Sequence, residues 1–145
     1  MQRQMLIRRI AAAAIALCPL VAFATDSGAK PPAVEGAELM TRDLTGDAGK
    51  EVLMLTVTYQ PGGASLPHRH DAQVFVYVLE GEMTMQVDGS APVTLHAGQT
   101  FYEGRDDIHR ISANASKTTP AKILVLMIKD KGKPDTRRVA DKAAS

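Results

Sequence analysis

A histidine pair at alternate positions, His68-Arg69-His70, limits what this chain can become more than any other feature. It is preceded by Gly62 and followed by Gly81, and a third histidine, His109, comes later behind Gly98. On a β-strand residues i and i+2 project from one face, so His68 and His70 present two imidazoles side by side while Arg69 points away. Glycine turns between short strands can bring His109 from a neighbouring strand to face the pair. Three neutral imidazoles suit zinc, copper, nickel or iron and leave coordination positions open to water or substrate.

The surrounding pattern is that of strands. Residues 51–60 alternate Leu53, Leu55, Val57 and Tyr59 against Val52, Met54, Thr56 and Thr58, and Pro61-Gly62 has the order of a type II turn. Residues 74–79 form a continuous β-branched and aromatic run, which predicts a strand buried on both faces. Glu80-Gly81 turns it into residues 82–87, where Met83, Met85 and Val87 share a face and read as core packing. Asp88-Gly89 and Ala97-Gly98 separate the next short runs, Ile108 opens the strand of the third histidine, and residues 121–128 close the series. Residues 38–44 are an expected edge strand. Many short strands, Gly-rich turns and no long helical pattern predict an all-β sandwich or barrel.

The spacing resembles the cupin family, whose two motifs read G-x5-H-x-H-x3(or 4)-E-x6-G and G-x5-P-x-G-x2-H-x3-N. Gly62, His68, His70 and Gly81 match the first, and Gly98 and His109 match the second. The run Tyr77-Val78-Leu79-Glu80-Gly81-Glu82 is also cupin-like. The resemblance covers about residues 50–128 and implies a double-stranded β-helix, the jelly-roll barrel, with a metal held by His68, His70 and His109. The departures are specific. Val74 stands where the motif glutamate is expected, Gly104 and Asp106 replace the Pro and Gly, and the Asn is displaced by one to Asn114.

A lost carboxylate leaves the ion its full charge and an additional open position. Gln73, one residue from the glutamate position, fills the place if a bulge re-aims its amide; Glu103 is a weaker candidate, since strand alternation argues against both. Tyr77 and Tyr102, with Glu103, are the groups whose polar tips could support the ligands from behind. His96, beside the Ala97-Gly98 turn, reads as a surface residue.

Residues 1–24 have the build of a secretory signal: Arg3, Arg8 and Arg9, an apolar run from Ile10 to Val21, then Ala22-Phe23-Ala24, with cleavage expected after Ala24. Its removal takes away Cys18, the only cysteine, and moves the formal charge from +1 to −2, so neither disulfides nor nucleic-acid binding is expected. The expected organisation is therefore a signal peptide over 1–24, a mobile leader over 25–36, one β-barrel domain over 37–128 and a charged, floppy or weakly helical tail over 129–145. A periplasmic or secreted protein without a stable membrane anchor follows, and the cupin resemblance implies a homodimer.

Two functional readings stay open. One is a metal-dependent dioxygenase or related oxidoreductase acting on a small oxygen-chelating substrate, with Fe(II) favoured over Zn, Ni, Mn or Cu. The other is a non-catalytic protein that binds or senses a small anion or sugar through its metal.

Overall fold

In the computed structural model, which describes residues 33–139, ten antiparallel strands form two five-stranded sheets. The first sheet contains β1 (Val34–Asp43), β2 (Lys50–Tyr59), β4 (Ala72–Glu80), β7 (Thr100–Glu103) and β9 (Ala121–Asp130), in the order β1-β2-β9-β4-β7. The second contains β3 (His68–Arg69), β5 (Glu82–Val87), β6 (Val93–His96), β8 (Ile108–Asn114) and β10 (Arg137–Arg138), in the order β10-β3-β8-β5-β6. This is the all-β architecture expected from the strand pattern, in the jelly-roll form that the cupin resemblance implies.

Period-2 alternation decides which side chains meet between the sheets. On β9, Ala121, Ile123, Val125 and Met127 are buried; on β4, Ala72, Val74, Val76 and Val78 are; Met83 and Met85 face them from β5 with no exposure at all. Leu55 and Val57 of β2 pack against this cluster, whose burial supplies most of the favourable free energy of the fold. The run over 74–79 departs from the prediction, because only alternate residues are covered. Phe75, Tyr77 and Leu79 lie on the outer face, 43%, 43% and 39% exposed. Apolar composition alone does not tell a doubly buried strand from a half-buried one.

Gly81 joins β4 to β5 at a φ of +73°, and a Cβ there would lie 2.6 Å from the Pro120 carbonyl oxygen. The turn therefore requires glycine both for its left-handed backbone and for its close packing against the start of β9.

Both ends of the domain extend beyond the expected boundaries. Val34, Glu35 and Gly36, assigned to a leader, pair with Tyr59, Thr58 and Val57. An edge strand is held by backbone hydrogen bonds and needs little apolar periodicity. The tail is corrected more strongly. Lys129 and Asp130 complete β9, and Arg137–Arg138 add a strand to β3. Lys129 is buried, with its ammonium 2.8 Å from Glu51 Oε1 and 3.1 Å from Asp135 Oδ1, so a charge that reads as solvent-facing anchors the returning chain. The expected signal peptide, most of the leader and residues 140–145 lie outside the described residues.

Candidate metal centre

His68 in the two-residue strand β3 and His70 just after it are both buried, 8% and 6% exposed, with Arg69 between them partly in solvent. His109 of β8 pairs directly with His68 and is 3% exposed. The imidazole centroids of His68 and His70 are 4.8 Å apart, and those of His68 and His109 are 5.1 Å apart. The three rings predicted to share a site are thus brought together.

The fourth member comes from a strand that the motif spacing does not indicate. Glu103 ends β7, where Phe101 and Glu103 face inward and Thr100 and Tyr102 outward, and its carboxylate is 2% exposed. Oε2 lies 3.0 Å from His109 Nδ1 and 3.8 Å from His70 Nε2. One ligand atom from each of His68, His70, Glu103 and His109 falls within 4.8 Å of the others, a group that could hold a metal ion.

Gln73 does not belong to it. The residue sits on the exposed outer face of β4 opposite Ile128, and the β4–β9 ladder has no bulge there to re-aim the amide, so strand alternation prevails. Tyr77 and Tyr102 are also on the outer face, 43% and 52% exposed, and do not back the histidines. Glu103 stands among the histidines themselves rather than behind them. The signal that could have found it is the inward parity it shares with Phe101 on a short strand. His96 is exposed, with its Nδ1 3.1 Å from Glu82 Oε1.

The groups that do support the rings are backbone carbonyls. His68 Nδ1–H donates to the Leu66 carbonyl at 2.7 Å, and His70 Nδ1–H donates to the Asp135 carbonyl, leaving Nε2 of each ring free for the centre. Such outer bonds fix tautomer and orientation in metal-binding histidines. Burial holds the pKa of His68 below its ordinary 6.5; the Leu66 bond raises it, the neighbouring His70 and His109 lower it further, and Glu103 raises it. A neutral ring at neutral pH is the form that binds a cation.

Two atoms decide whether the set fits a metal. Glu103 Oε2 and His109 Nε2 are buried without a hydrogen-bond partner among the described residues. The 3.0 Å approach of His109 Nδ1 to Glu103 Oε2 is close, but it is not aligned as a hydrogen bond. Leaving such atoms unpaired costs free energy, and a cation at the centre of the group would offset it. The donor set, three nitrogens and one carboxylate, fits a divalent transition metal.

The four residues of the centre line a cavity of about 300 Å³. Its walls are mainly aliphatic, with Val57, Val76 and Val125 among them, and Tyr59, Ser65 and Ser112 form a polar patch in which the Tyr59 hydroxyl shares a 2.7 Å hydrogen bond with Ser112 Oγ. Asn114, the displaced motif asparagine, ends β8 and is buried. Its amide Nδ2 donates to the carbonyls of Tyr59, Gln60 and Thr119. The displaced motif asparagine is therefore a structural clamp.

The Cupin domain profile matches residues 55–127, and the chain belongs to the cupin family. Among solved structures, an oxalate oxidase in complex with the substrate analogue glycolate superposes with a TM-score of 0.59 at 27% identity, covering 75% of this chain and 56% of that one. This chain therefore spans little more than half of that protein. The polyketide cyclase RemF from Streptomyces resistomycificus matches with a TM-score of 0.57 at 21% identity, covering 77% of each chain. The DMSP lyase DddQ from Ruegeria pomeroyi matches at 0.59 and 17%, covering 77% of this chain and 54% of that one. The last two likenesses concern the fold alone. No curated protein sequence matches this chain.

Proposed function

We propose that this chain is an exported, metal-dependent cupin oxidoreductase of dioxygenase type, with His68, His70, His109 and Glu103 holding a divalent ion, Fe(II) first among the candidates. The observation that carries the reading is the convergence of three imidazoles and one buried carboxylate, two of whose atoms are orphaned, on the wall of an apolar cavity. Bound there, the metal would supply Lewis acidity and redox chemistry at positions left open to a small molecule that chelates through oxygen. The chain's own part is to orient the ligands through the Leu66 and Asp135 carbonyls and to exclude water with aliphatic walls. The likeness to an oxalate oxidase, whose structure holds glycolate, supports a small oxygen-rich substrate.

Metal analysis of the mature protein purified without oxygen, followed by oxygen uptake over a panel of hydroxy acids, diketones and phenols, tests the proposal. Stoichiometric metal and uptake with one class are expected; iron-loaded protein that consumes no oxygen with any of them overturns the oxidoreductase reading. One observation favours non-catalytic binding as the second reading. Apart from the four centre residues, the cavity lining contains no carboxylate or imidazole that could move a proton.

A further inference from the structure

The candidate centre has a cation beside it, Arg138, that no carboxylate among the described residues neutralises. In the β10–β3 pairing Arg138 stands directly opposite His68, and Arg137 opposite Arg69. Directly opposed residues of an antiparallel pair share a face, so Arg138 is directed to the side of the buried histidine and lines the cavity, whereas Arg137 is directed outward and pairs with Asp71. No carboxylate among the described residues lies within ion-pair distance of the Arg138 guanidinium. Glu103, the one acid on the cavity wall, is 2% exposed and lies 3.0 Å from His109 and 3.8 Å from His70.

The charges then do not balance. With a divalent ion, one carboxylate and three neutral imidazoles, the centre keeps one positive charge, and Arg138 adds a second at the same mouth. Beside low-dielectric aliphatic walls, such a field selects anions. A guanidinium is also the side chain whose planar fork matches a carboxylate with two parallel hydrogen bonds. The interior beyond, with Leu55, Val57, Ile123 and Val125, has room and chemistry for a short hydrocarbon body.

From this geometry we infer that the small molecule taken by this site is a carboxylate with an apolar tail, and that Arg138 is its recognition residue. The carboxylate pairs with the guanidinium, and the tail lies along the aliphatic walls. The inference rests on the proposed metal centre for its place but not for its test.

The experiment uses 2-hydroxyhexanoate and its uncharged amide as probes, titrated calorimetrically into full mature protein in metal-loaded and metal-free forms. The acid is expected to bind at least tenfold more tightly than the amide. Arg138→Gln should remove that preference, Arg138→Lys should restore part of it, and Arg137→Gln should leave it unchanged. Unaltered metal binding by Arg138→Gln shows that the centre is intact in the variant. Equal binding of acid and amide by the parent protein, or acid binding undiminished in Arg138→Gln, overturns the inference. Failure of the parent protein to hold a metal would sink the function proposed above, yet the Arg138 dependence would still be read in the metal-free titration.

Discussion

Glu103 lies directly across the β4–β7 ladder from Val74, the position at which the family motif carries its glutamate. Both face the interior, 2% and 1% exposed. Residues opposed in this way have Cβ atoms about 5 Å apart, so a carboxylate on either strand can reach the same ring nitrogens. The acid absent from the motif is supplied one strand over.

This relationship is open to an exchange experiment. Glu103→Val should weaken cation affinity by more than about 100-fold, beyond the tenfold to 100-fold that outer-shell changes cost. Adding Val74→Glu to that variant should recover most of the loss, as measured by competition with a chromophoric chelator. Recovery would show that the space, rather than the strand, determines the fourth donor.

The His70 support predicts a role for the chain end. Deleting residues 131–145 removes the Asp135 carbonyl that accepts from His70 Nδ1 but leaves β9 and the apolar core in place. Metal affinity should fall by about tenfold to 100-fold with the far-UV spectrum retained. An unchanged affinity would show that the carbonyl does not orient the ring.

Acid sensitivity follows from His68. Its folded pKa is depressed below 6.5 by burial first, so the stability associated with its neutral form is fully present above 6.5 and is lost as pH falls through the lower folded value. Thermal melts of metal-free protein should show the midpoint dropping between pH 7.5 and 5. His68→Gln should flatten that slope.

Asn114→Ala should destabilise the fold by on the order of 3 kcal/mol, because the carbonyls of Tyr59, Gln60 and Thr119 lose a shared donor from a buried side chain. Chemical denaturation would measure it. A change below about 0.5 kcal/mol would mean that these carbonyls find other partners.

The strands and the three histidines were legible because they depend on local rules. Alternation placed Leu53 and Tyr59 inside, and the spacing of His68 and His70 put both rings on one face. Glu103 was legible only as a weaker candidate for the fourth place, since its facing depends on the register of β7 against β4, which pairs residues almost thirty positions apart. The tail was misread for a related reason. Charge marks a segment as solvated, but Asp135 contributes a main-chain carbonyl to His70, and no side-chain pattern reports on that. Lys129 likewise became intelligible only once Glu51 and Asp135 were seen around it.

The ladder between β5 and β8 also slips, with Gln86 opposite Ile111 but Val87 opposite His109. Arg110 is the additional residue, and by looping out it lets His109 and Asn114 both turn inward although five positions separate them. A strand that can absorb an inserted residue in this manner keeps its imidazole and its clamp in phase. Excising Arg110 would return the stretch to the four-residue step of the family pattern, and His109 and Asn114 should then both still face inward.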